Sequence, residues 1–218
     1  MAGWSAENAT NAYLGAMKMA KRAKEPDAAE FISALVAGKN ARLIVVACAD
    51  AADSTALALV AAAHQTGGRV VCIVAGANEL QLSRETMSES ADDIEFVIGN
   101  AENLVASEYN EADCVVVDCR IKNCERILQR AEGVGTKGVV LGYNAFQMGS
   151  WSCRGFDAHL LPIGDGLLVS RVAVKAENGR CGGGAGKMRS RWVVKVDKYT
   201  GEEHVFRVRN SQGKAFEA

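Results

Sequence analysis

No excess of charge of either sign marks this sequence: 25 lysines and arginines face 26 aspartates and glutamates, a net charge of −1. Without a basic surplus, nothing in the balance calls for nucleic acid or an anionic membrane as partner. Long apolar runs are missing too, since no stretch reaches the roughly 18 apolar residues that span a bilayer. The leading MAGWSAENATNAYLGAMKMAKRAK has no unbroken apolar core followed by a small-residue cleavage site, so the cytosol or the nucleus is the expected compartment. Zinc spacing is lacking as well. Seven cysteines are present, but Cys119 and Cys124 lie five apart with no further Cys or His pair nearby, while Cys48, Cys72 and Cys114 fall in apolar runs. Reduced thiols are expected. The three histidines, His64, His159 and His204, sit in unrelated segments and give no triad with a serine.

What is present is enough apolar residue, 49%, to bury one core in a chain of 218 residues, and no second domain is required. Residues 1–40 read as two helices, one capped by Ser5 and carrying Tyr13, Leu14, Met17 and Met19, the other following Pro26 with Phe31, Leu35 and Val36 at helical spacing and Gly38 at its end. Residues 41–174 then repeat a pattern of strand followed by helix. The strand candidates are 42–48, 69–74, 94–98, 113–118 and 138–143, without period-two alternation, as strands covered on both faces require. Helices are expected at Ser54–His64, Glu79–Glu89, Ala101–Glu108 and Asn123–Glu132. This order specifies an α/β fold with a doubly wound, mainly parallel sheet.

After Tyr143 the pattern changes. LLPIGDGLLVSRVAV places Gly164-Asp165-Gly166 between two apolar runs, the signature of an antiparallel hairpin added at the sheet edge. Residues 175–190 hold too many glycines to pack and read as a flexible loop. Residues 191–210 resume alternation about a turn at Asp197–Gly201 and form a second hairpin. Its basic residues either guard an exposed edge or touch phosphates.

In an open parallel sheet, ligands bind outside the carboxyl ends of the strands where the strand order reverses. The first such loop, CADAADST, has no glycine to admit a phosphate or a methyl donor to the backbone. Asp50, Asp53, Ser54 and Thr55 stand there instead. Asp53 or Ser54 either presents oxygens and helix N-terminal amides to a ligand or only caps the helix. The second strand ends in IVAGANE, without the carboxylate that a ribose usually meets. Asp118 closes the fourth strand, where a carboxylate either faces the crevice, to bind a metal or steer a substrate hydroxyl, or caps the next turn.

The stretches DAAEFISALVAGKNARLIVV, VVVDCRIKN, GVVLGYNAFQMGS and LPIGDGLLVSRV resemble, in order and spacing over about residues 27–173, the cation-dependent caffeoyl-CoA and catechol O-methyltransferases. The whole chain, including SRWVVKVDKYTGEEHVFR, is more closely similar to a plant family catalogued as a domain of unknown function and labelled methyltransferase-like. The resemblance implies a class I, Rossmann-like methyltransferase fold with S-adenosylmethionine as donor and, since the resembled enzymes are often dimers, a homodimer. It puts Asp118 in the place of the first metal-binding aspartate and Asn144 or Ala145 where an Asp-Asn pair would stand, while Gly99-Asn100-Ala101 is similar to the adenine-side turn. One carboxylate with one amide is a weak cage for a hard cation, so no metal is expected. Two functions remain open: methylation of a small hydroxylated molecule positioned by Asp118, Tyr143 and Asn144, aided by Arg120 or Lys122, or a non-catalytic module that binds a ligand or a protein.

Overall fold

The computed structural model describes residues 4–19, 27–133, 138–148, 158–171, 190–196 and 203–209. Two helices come first, α1 (Ala6–Met19) and α2 (Ala28–Gly38). Ser5 caps α1, its hydroxyl accepting from Asn8 N at 3.2 Å. A capping box closes α2, with Asp27 N donating to Glu30 Oε2 at 2.7 Å, which explains how Glu30 stays buried.

The buried face of α1 is made of small residues. Its inward residues are Ala9, Ala12 and Ala16, while Leu14 and Met17 are exposed. The cause is close helix packing: Ala16, Ala29, Ala58 and Ala61 form one cluster among three helices, and a Cβ on Gly15 would touch Ala61 at 3.4 Å. Only small side chains fit at that distance.

The alternating pattern forms as expected: β1 (Leu43–Ala47), α3 (Ser54–Thr66), β2 (Arg69–Val74), α4 (Ala77–Met87), β3 (Ile94–Ile98), α5 (Ala101–Ala106), β4 (Cys114–Asp118), α6 (Cys124–Gly133) and β5 (Val139–Tyr143). Boundaries shift by a few residues. The helix expected to reach Glu89 ends at Met87, where Ser88 takes φ +50 and a 3-10 turn, Ser88–Asp93, follows. Then come β6 (Ala158–Leu161) and β7 (Leu167–Arg171).

The sheet has seven strands in the order β3-β2-β1-β4-β5-β7-β6. β1 to β5 are parallel, β7 is antiparallel to β5, and β6 pairs antiparallel with β7. Order therefore reverses between β1 and β4, both wholly apolar up to Asp118 and buried on both faces. The Gly164–Gly166 turn forms the expected hairpin, with positive φ at both glycines. A Cβ on Gly166 would strike Phe146, and the turn is tied to the loop after β5 by Ala145 N donating to Gly166 O at 2.9 Å.

β8 (Ser190–Val196) and β9 (Glu203–Arg209) pair antiparallel as a two-stranded sheet, as the alternation requires. The glycine-rich stretch Glu177–Arg189 and the turn Asp197–Gly201 lie outside the described residues. Among the described residues, no helix is long and apolar enough to cross a membrane.

Candidate functional site

At the point where strand order reverses, β4 and β5 end in register, Asp118 opposite Tyr143. Asp118 is wholly buried, yet both carboxylate oxygens are occupied. Oδ1 accepts from Arg120 N at 3.0 Å and from Asn144 Nδ2 at 2.9 Å, and Oδ2 accepts from Arg120 Nε at 3.0 Å and Nη2 at 2.6 Å. Burial alone would raise this carboxyl, but the Arg120 and Asn144 hydrogen bonds outweigh it and hold it below its ordinary value. Asn144 reaches Asp118 from a left-handed backbone, φ +57, which asparagine tolerates better than most residues.

Arg120 extends beyond Asp118. Its Nη1 lies 3.2 Å from Asp50 Oδ2, so one guanidinium ties the loop after β4 to the loop after β1. Its pKa is driven up, first by the hydrogen bonds to Asp118, so the charge is permanent. Asp118 thus organises its own turn through the Arg120 amide and side chain and ties it to Asn144.

In the first loop the capping role of Asp53 is present: its Oδ1 accepts from Thr55 N at 2.9 Å at the start of α3. Its carboxyl is nonetheless raised, first by burial and only partly offset by the Thr55 hydrogen bonds. Ser54 and buried Thr55 begin the helix. What the sequence does not reveal is Ser83, buried on α4, which accepts from Ala52 N at 2.9 Å and donates to Glu79 O at 2.6 Å, pinning the loop from below. A serine mid-helix carries no distinguishing signal of its own.

The Tyr143 hydroxyl is buried and has no hydrogen-bond partner among the described residues. Burial pushes its pKa well up, with Cys48, Asp53 and Asp118 adding to the rise, so the phenol stays protonated. A buried hydroxyl without a partner costs about 1–3 kcal/mol and in a native structure calls for an explanation.

Gly99, Asn100 and Ala101 lie at the end of β3, beyond β2 and β1 from Asp118, and are not brought into contact with it. Gly99 N donates to Val74 O at 3.0 Å, Asn100 caps α5 by accepting from Asn103 N at 3.1 Å, and Ala101 begins that helix. Asp50, Asp118, Tyr143, Asn144 and Asp53 therefore gather at the reversal, and the β3 turn lies apart from them, with β2 and β1 between.

Two groups implied by the resemblance can be tested on these residues. A divalent cation does not fit: the oxygens of Asp118 are taken by Arg120 and Asn144, Ala145 offers no ligand, and no cluster of three or more His, Cys, Asp or Glu suited to a metal occurs among the described residues. A cationic methyl donor fits better. The two acids that hold Arg120, Asp50 and Asp118, leave the cluster one negative charge in excess, and the unpartnered Tyr143 hydroxyl awaits an acceptor.

Solved structures share this fold. A methyltransferase from Geobacter sulfurreducens superposes with a TM-score of 0.54 at 19% identity, covering 78% of this chain and 91% of that one. The methyltransferase PaMTH1 from Podospora anserina, solved with S-adenosylhomocysteine bound, gives 0.53 at 15% identity over 78% of this chain and 89% of that one. A Staphylococcus aureus protein described as a caffeoyl-CoA O-methyltransferase gives 0.52 at 14% identity, over 77% and 92%. At such identities the likeness establishes the class I methyltransferase fold. A search of curated protein sequences gives no significant match. A family model described as "protein of unknown function (DUF1442)" matches residues 2–208, nearly the whole chain, and the protein belongs to that family.

Proposed function

We propose that the protein binds S-adenosylmethionine at the carboxyl ends of its parallel strands and methylates an oxygen of a small hydroxylated molecule without a divalent metal. The observation that supports this reading best is the bidentate grip of Arg120 on Asp118. It sets a permanent, partly exposed cation at the crevice, where a resembled enzyme would have its metal. When bound, S-adenosylmethionine supplies an already activated methyl group, so the protein's share is mostly alignment. Asp50, Asp53, Ser54 and Thr55 line the donor side with Gly99, Asn100 and Ala101 along the far wall; Tyr143 donates a hydrogen bond, and Asn144 fixes the far side of Asp118. Arg120 lies where it can lower the pKa of a substrate hydroxyl.

A second reading, a non-catalytic module that binds a ligand or a protein, is favoured by one observation. The Asp50–Arg120–Asp118 bridge crosses between the two loops that flank the reversal point, and no glycine opens the first. Calorimetric titration with S-adenosylmethionine and S-adenosylhomocysteine, with and without magnesium, separates the two. Micromolar binding unaffected by magnesium, weakened roughly tenfold by Tyr143→Phe with no loss of melting temperature, supports the enzyme reading, since losing a buried hydrogen bond costs about 1–2 kcal/mol. No heat at millimolar ligand overturns it.

A further inference from the structure

The described residues hold five free thiols, four of them in two neighbouring pairs, and the pairs differ chemically. Cys48, the residue after β1, and Cys72, on the adjacent strand β2, have sulfurs 3.4 Å apart inside the apolar core. The Cys72 thiol, then burial, pushes Cys48 well up, so Cys48 stays a thiol. Cys114 is likewise pushed up by burial.

Cys119 and Cys124 sit otherwise. Both line a cavity of about 420 Å³, together with Arg120, Lys122, Arg126 and Gln147. Two tight turns fold the intervening residues back, Ile121 N donating to Asp118 O at 3.1 Å and Cys124 N to Ile121 O at 3.0 Å. On β5, Gly142 makes room: a Cβ there would come within 2.8 Å of the Cys119 sulfur. The Cys119 thiol, which donates to Val117 O at 3.9 Å, also neighbours that of Cys124, the first residue of α6, closely enough to share a hydrogen bond. That hydrogen bond, helped by the Glu125 amide, pulls Cys124 down and leaves Cys119 raised. Burial and the charges of Glu125 and Asp118 oppose that fall without cancelling it.

We propose that Cys119 and Cys124 form an oxidisable dithiol that a hydroperoxide, entering this cavity, converts to a disulfide. The Cys124 thiolate attacks the terminal peroxide oxygen, an S–O bond forms as the O–O bond breaks, and the departing alkoxide, or hydroxide from hydrogen peroxide, leaves as the alcohol or water after taking a proton. Cys119 then attacks the Cys124 sulfur. The S–S bond forms, the S–O bond breaks, and the Cys119 proton departs with the released hydroxide as water. The sulfurs together lose two electrons and the peroxide gains them. Arg120 lies within the ring so closed, and the Asp118 grip described above becomes part of a covalently fixed loop.

The test uses the full chain, treated with graded hydrogen peroxide, denatured, alkylated and digested with trypsin. Cleavage after Arg120, Lys122 and Arg126 places the two cysteines on separate peptides, so a linked pair reports the disulfide directly. The expected result is Cys119 joined to Cys124, with fragment ions excluding Cys114, formed about tenfold faster than Cys48 is modified and reversed by dithiothreitol. In Cys119→Ser, Cys124 is expected to halt as a sulfenic acid trapped by dimedone. Recovery of both residues as free thiols in excess peroxide, or a Cys48–Cys72 link forming first, overturns the proposal.

Discussion

Asp118 carries a full charge with no solvent exposure, and the hydrogen bonds that permit this set a testable pH dependence. Its folded pKa lies below the ordinary 3.8, so the stabilisation is fully present above that value and is lost as pH falls through the lower folded value. Asp118→Asn removes one partner of the pair and is expected to cost about 3 kcal/mol at neutral pH, tempered because Arg120 can still reach water. Urea unfolding of both proteins between neutral pH and strong acid checks this: the gap holds down to about the unfolded carboxyl value and then narrows. Of this cluster, Asp118 and Asn144 were legible in the sequence, since a polar residue ending an apolar strand has few places to point. The partnership of Arg120 with Asp50 was not legible. Seventy residues of chain separate the two loops, and only the sheet order brings them together.

Among the elements, the parallel strands were the most readable, because a run apolar on both faces has no other stable home. The inward face of α1 was the least. Tyr13, Leu14, Met17 and Met19 mark the helix without fixing its buried side, which the alanines Ala16, Ala29, Ala58 and Ala61 decide where α1, α2 and α3 meet, leaving Leu14 and Met17 exposed. β5 docks on a similar close approach. A Cβ on Gly138 would fall 1.5 Å from Asp113 O, the carbonyl that accepts from Val139 N. Gly138→Ala is expected to force the start of β5 away from β4 and to cost about 3 kcal/mol or more, read as a lower denaturation midpoint.

Across the whole molecule, the βα alternation announces a parallel sheet, but the sequence nowhere writes the order of its strands. That order comes from right-handed crossovers and from which apolar faces meet. The centre falls on β1 and β4, paired on both sides, and the edges on β3 and β6. Hydrogen exchange is expected to follow this layout: amides of Val45, Val46, Val115 and Val116 exchange last, while those of β3 and β6 exchange sooner through local opening. Uniform protection across all seven strands would contradict it.

The same order has a consequence while the chain is being made. The ribosome releases β1, β2 and β3 first, and these assemble outward on one side only. Until β4 emerges, some seventy residues after β1, one flank of the central strand, Ile44 to Ala47, stands unpaired and entirely apolar. A nascent half-sheet of this kind can stick to its neighbours on a polysome, and slow translation between β3 and β4 lengthens the time it is at risk.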